Sequence, residues 1–133
     1  MSIRIGIVDD KLVNRITVKE KLLKYPEVEL VLEAKNGDDF LEQLKAATPA
    51  KIPQLVLMDL EMPVMDGFTA IHEVKRLYPD IPVIAFTASL VDKKMLSDLI
   101  ASGFIDCMLK PFQPLQLLSD IKKYLSKPLQ PVA

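Results

Sequence analysis

Leu55-Val56-Leu57-Met58-Asp59-Leu60-Glu61-Met62-Pro63-Val64-Met65-Asp66-Gly67 begins with four apolar residues in a row and then turns acidic. A run apolar at every position suits an interior strand covered by other elements on both faces. The strand ends at a carboxylate, Asp59. Beyond it, Asp66 precedes Phe68, where a short acceptor can cap backbone N–H groups. Ile71, Val74 and Tyr78 then fall on one helical face.

The same rhythm extends in both directions. Apolar runs occupy residues 3–8, 28–34, 83–86 and 104–109, with amphipathic stretches between them. Leu12, Ile16 and Leu23 predict one helix face after the first run. Met95 and Leu99, with Leu96 and Ile100, predict another, and Leu117, Ile121 and Leu125 a third. Asp38 before Phe40-Leu41 and Asp92 before Met95-Leu96 are further expected caps. Alternation of this kind is the signature of βαβ units and a parallel sheet. Residues 83–86, like 55–58, are wholly apolar and read as an interior strand. Glu29, Glu33 and Asp106 interrupt the second and fifth runs, as edge strands permit. Right-handed crossovers then favour an α/β fold with a doubly wound five-stranded parallel sheet of order 2-1-3-4-5.

With 133 residues, 50% hydrophobic and 26% charged, the chain is sized for one domain with a packed core and no staples. The expected domain covers residues 1–126, and residues 127–133, with Pro131, read as a loose C-terminal tail. Seventeen basic and 18 acidic residues give a net charge of -1 without long runs of one sign, which argues against direct nucleic-acid binding. One Cys and one His exclude an intrachain disulfide and a two-histidine metal centre. The N-terminus lacks a signal-peptide pattern, and no apolar run approaches the roughly 20 residues of a membrane helix, so a cytoplasmic location without membrane insertion is expected.

In an open parallel sheet, function collects beyond the carboxyl ends of the strands, where the connections reverse direction. Strand 1 ends in Asp9-Asp10 and strand 3 in Asp59. Neighbouring strands lie about 4.8 Å apart, so the three carboxylates would crowd one small volume. A hard divalent cation relieves that repulsion, and Mg²⁺ fits because it combines a few carboxylates with water and phosphate oxygens; protonating one carboxylate is the competing remedy. Thr87, ending strand 4, and Lys110, ending strand 5, supply a hydroxyl and a compact positive charge to answer a phosphoryl group on Asp59. Each of these residues alone has an ordinary explanation as a helix cap, a turn hydroxyl or a solvated strand end. Their convergence at adjacent strand ends is what points to chemistry.

Val8-Asp9-Asp10, the run from Met58 to Gly67, Phe86-Thr87-Ala88 and Leu109-Lys110-Pro111-Phe112 together resemble the receiver domain of two-component response regulators over about residues 3–125. Asn14-Arg15 and the Met62–Gly67 stretch are most similar to receivers of hybrid sensor kinases. The resemblance implies a flavodoxin-like (βα)5 fold and phosphorylation of Asp59 by a kinase phosphohistidine. It further implies Mg²⁺ held directly by Asp10, Asp59 and the Glu61 carbonyl, with Asp9 acting through water. Thr87 and Lys110 become phosphoryl contacts, and Lys110-Pro111 a cis peptide. Receivers generally carry an aromatic three residues before the strand 5 lysine, whereas this chain has Cys107.

The implied partners are a sensor histidine kinase or a histidine phosphotransfer domain. These would dock on Lys11, Val13, Asn14 and Arg15 with Pro111, Phe112 and Gln113, while helix 4, strand 5 and helix 5 offer a face for a possible homodimer. Glu61 and Ser89 flank the expected route of an attacking water. His72 and Lys93-Lys94 read as solvated helix surface, Cys107 as a small core residue, and Met62 and Met65 as loop lining. The chain is expected to stand alone or to form part of a hybrid kinase, catalysing only its own phosphorylation and dephosphorylation. The alternative is a Mg²⁺-dependent aspartyl-phosphate hydrolase of the dehalogenase-like class. That class carries a second Asp two residues after its nucleophile, where Glu61 stands here. A flavodoxin-like cofactor binder lacks its Gly-rich phosphate loop after strand 1.

Overall fold

Apolar runs and amphipathic stretches alternate in the computed structural model as the sequence predicts; residues 3–111 and 113–125 are described. In chain order the elements are β1 (Ile3–Val8), α1 (Leu12–Leu22), β2 (Val28–Ala34), α2 (Gly37–Ala46), a single 3-10 turn (Pro49–Lys51) and β3 (Leu55–Asp59). Then follow α3 (Gly67–Leu77), β4 (Val83–Thr87), α4 (Lys93–Ser102), β5 (Asp106–Leu109) and α5 (Pro114–Leu125). All strand pairs are parallel, and the sheet order is β2-β1-β3-β4-β5.

Strand alternation divides the core in two. Leu55, Leu57, Ile84 and Phe86 point to the side covered by α1 and α5, where they meet Val18, Leu22, Leu117 and Ile121. Val56, Met58, Val83 and Ala85 point to the opposite side and meet Phe40, Leu44, Ile71, Val74 and Leu99 from α2, α3 and α4. Every residue of β3 and β4 is buried, as central strands require. On the β2 edge, Glu33 accepts Arg15 Nε at 2.9 Å and Lys19 Nζ at 2.8 Å. Asp66 and Asp92 cap α3 and α4, their side chains accepting the N–H groups of Thr69 and Met95.

Three sequence expectations are corrected. Leu12, Ile16 and Leu23 do not form the core face of α1: they are exposed, and Val18 and Leu22 are the helix residues that pack inward. The cap of α2 is Asn36, which accepts the Asp39 N–H at 2.8 Å; Asp38 already lies in the first turn. Phe104 precedes β5 rather than belonging to it. It is buried in the turn after α4 and meets the Phe68 ring edge-on, with centroids 6.4 Å apart. Gly103, at φ 121°, makes that turn in a conformation that residues with a Cβ avoid. The expected tail, residues 127–133, lies outside the described residues.

Candidate functional site

β1 and β3 are adjacent and in register through Val8 and Met58, so the next residues of each strand emerge side by side at the carboxyl edge. Suitably placed carboxylate oxygens of Asp9, Asp10 and Asp59 lie within 4.8 Å of one another. Asp59 pairs in register with Phe86, and Thr87, the next residue of β4, pairs with Leu109 of β5. Lys110 therefore leaves the sheet beside Thr87, and its N–H donates to the Thr87 carbonyl at 2.8 Å. The Lys110-Pro111 peptide is cis, as the resemblance implied.

Within this cluster the carboxylates differ. Asp9 is fully buried, with Lys110 Nζ 2.8 Å from Oδ2 and the Lys11 N–H donating to Oδ1 at 2.9 Å. Lys110 Nζ lies 3.5 Å from Asp59 Oδ2 and 5.2 Å from the Phe86 ring centroid. Burial pushes the Asp59 carboxyl above its ordinary range; the Lys110 charge works against this, and Asp9 and Asp10 reinforce it. Oδ1 of Asp10 is buried without a hydrogen-bond partner among the described residues.

An orphaned acidic oxygen beside two further carboxylates fits a hard divalent cation, and the all-oxygen donor set suits Mg²⁺ chemistry. Leu60, Met62, Pro63, Asp66 and Phe68 line an open cleft with Asp10 and Glu61, which gives the cluster access to solvent. Glu61 is exposed, and its N–H donates to Asp59 Oδ1 at 3.4 Å. Thr87 is buried, and its Oγ1 accepts the N–H of the exposed Ser89 at 3.2 Å.

All the expected site residues, Asp9, Asp10, Asp59, Glu61, Thr87 and Lys110, thus gather at one sheet edge. His72 and Lys93-Lys94 are exposed on helices, away from this cluster. Met62 lines the cleft and Met65 packs partly into the core. Cys107 is half-buried against the α2–α3–α4 side, where burial pushes its thiol up.

Three contacts escaped the sequence reading. Asn14 Nδ2 stands 3.3 Å from both carboxylate oxygens of Asp9, and Arg15 Nη1 donates to the Asp9 carbonyl at 2.7 Å. The sequence reading places both residues in the resemblance and in the docking surface, not against Asp9; their position at the start of α1, soon after the acidic pair, is the signal that could have found them. Gly67 matters by what it lacks: a Cβ there would meet the Asp59 carbonyl oxygen at 2.5 Å.

Comparison with known proteins agrees with this geometry. The family model described as response regulator receiver domain matches residues 5–122. Chemotaxis protein CheY of Bacillus subtilis is 38% identical over 126 residues, covering 95% of this chain and all of the relative. A protein-glutamate methylesterase/protein-glutamine glutaminase of Pseudoalteromonas atlantica is 35% identical over 85% of this chain, which spans 29% of that relative's length. The structure of chemotaxis protein CheY4 of Vibrio cholerae superposes with a TM-score of 0.77 at 25% identity, covering 93% of this chain and 99% of the other. No helix among the described residues is long and apolar enough to cross a membrane. This chain belongs to the response regulator receiver domain family and is a phosphoacceptor signalling domain of the two-component type.

Proposed function

We propose that Asp59 is the phosphoacceptor, and that its phosphorylation from a phosphohistidine is the signal this domain receives. The observation that carries this reading is Lys110 Nζ within reach of both Asp9 and Asp59, while Asp10, one of whose oxygens is buried without a partner among the described residues, brings a carboxylate oxygen within 4.8 Å of theirs. Asp10 and Asp59, with the Glu61 carbonyl, would hold Mg²⁺, and Asp9 would act through water. When bound, the cation neutralises carboxylate charge and orients phosphoryl oxygens.

Asp59 attacks phosphorus, an O–P bond forms as the donor's P–N bond breaks, and the electron pair stays on the imidazole, which takes up a proton. Lys110 and the Thr87 hydroxyl answer the charge spread over the phosphoryl oxygens. Dephosphorylation is attack by water, which returns the carboxylate and releases inorganic phosphate. Glu61 and Ser89, both exposed and two residues beyond Asp59 and Thr87 respectively, set the access of that water.

The domain catalyses only these steps on itself, in the cytoplasm, and Glu61 in place of a second Asp leaves the dehalogenase-like alternative without support. Its partner is a histidine kinase or phosphotransfer domain. The exposed Leu12 and Val13 on the first turn of α1 suit such a helical partner. Phe112, included in the expected docking surface, lies outside the described residues. Homodimerisation through α4, β5 and α5 is a further proposal, supported by exposed Ile100 and Leu109 on that face.

Incubation with a small phosphoryl donor and Mg²⁺, followed by mass spectrometry, tests the assignment. One base-labile phosphoryl adduct that requires Mg²⁺ and is lost in Asp59→Asn is expected. An adduct retained in Asp59→Asn would move the acceptor to another carboxylate.

A further inference from the structure

Asp9 is the carboxylate of the trio with no exposed surface. A charge buried to that degree persists only when donors surround it. Its Oδ1 accepts from the Lys11 N–H and lies 3.3 Å from Asn14 Nδ2. Its Oδ2 has two donors among the described residues, Lys110 Nζ at 2.8 Å and the same Asn14 Nδ2 at 3.3 Å.

This asymmetry bears on phosphorylation. Lys110 stands closer to Asp9 than to Asp59, 2.8 against 3.5 Å, so a turn of its ammonium toward a phosphoryl group on the second draws it away from the first. The turn strips Asp9 Oδ2 of its shortest contact. The Lys11 backbone N–H is directed at Oδ1. Asn14, on the first turn of α1, already straddles both oxygens.

We propose that Asn14 is a positioning residue that takes over Asp9 Oδ2 when Lys110 turns to the phosphoryl group, and thereby sets how firmly the phosphorylated state is held. This rests on Asp59 being the phosphoacceptor. Removing the amide takes a donor from Asp9 in either arrangement, but leaves Oδ2 with Lys110 Nζ at rest and without it once Lys110 has turned, so the phosphorylated state is weakened the more.

Calorimetric titration of the full chain tests this, first with Mg²⁺ alone and then with beryllium fluoride, a tetrahedral phosphoryl mimic, at saturating Mg²⁺. Asn14→Leu and Asn14→Ala are expected to bind the mimic about tenfold more weakly than the wild type, with Mg²⁺ affinity within about twofold, and Asn14→Gln, which keeps the amide, to recover part of the loss. Two variants of different bulk, each checked for a cooperative thermal transition, guard against a folding defect. Unchanged mimic affinity in both, or an equal loss of Mg²⁺ and mimic affinity, would overturn the role of Asn14. A wild type that ignores the mimic, or an Asp59→Asn variant that still binds it, would instead overturn the phosphoacceptor assignment, and the role of Asn14 with it.

Discussion

Asp59 shows how one residue can be held against its own preference. Because burial raises its carboxyl pKa, the folded protein binds the Asp59 proton at pH values where the unfolded chain has released it. Stability is therefore lost as pH rises through the window above the ordinary value of 3.8, and the ionised group is a net cost at neutral pH. Asp59→Asn is expected to raise Tm of the metal-free protein while abolishing phosphorylation, as thermal melts in the presence of a chelator will show. Val64 carries strain of another kind. Its backbone sits at φ 69°, a left-handed conformation that a β-branched residue disfavours, and its side chain is exposed and gives little packing in return. Val64→Asn should stabilise by about 1 kcal/mol in denaturant titrations.

At the scale of elements, the start of α3 is pressed against the end of β3. A Cβ at position 67 would lie 2.5 Å from the Asp59 carbonyl oxygen and 3.0 Å from Leu60 Cα, both backbone atoms with little freedom to yield. Gly67→Ala should cost about 2 kcal/mol and lower Mg²⁺ affinity, since relief of the clash displaces Asp59 itself; melts and calorimetry report the two effects. α1 is tied to the edge strand β2 through Glu33. Burial alone would raise the Glu33 carboxyl, but hydrogen bonds from Lys19 and Arg15 override it and hold the pKa below the ordinary value of 4.5. The stabilisation is present above that value and lost as pH falls through the lowered one. Glu33→Gln should cost under about 1 kcal/mol at neutral pH and flatten the acid limb of the stability profile. Since Arg15 also donates to the Asp9 carbonyl, this tie runs from the sheet edge to the acidic pair.

For the whole molecule, three carboxylates brought to one sheet edge carry more negative charge than the single ammonium of Lys110 offsets, and a divalent cation relieves the remainder. Mg²⁺ should therefore raise Tm, by the equivalent of about 1.4 kcal/mol at ten times its Kd; a chelator should reverse the rise and Asp10→Asn should remove most of it. Much of this was legible in the sequence. Uninterrupted apolar residues at 55–58 and 83–86 marked the central strands, Glu33 and Asp106 the edges, and the strand-terminal Asp9-Asp10, Asp59, Thr87 and Lys110 the cluster proposed as the site, because strand periodicity and parallel-sheet topology together dictate which ends become neighbours. The inward face of α1 was not legible. Leu12, Ile16 and Leu23 match a helical stripe as well as Val18 and Leu22 do, and only docking on the sheet selects between them. Nor could spacing reveal that Asn14 and Lys110 share an oxygen of Asp9, since α1 and β5 are distant in sequence and meet only in the assembled fold. Local pattern thus determined the elements, their order and the chemical groups at the strand ends. The helix face turned inward and the partner of each buried charge were decided by tertiary packing, because both depend on which surfaces lose water together.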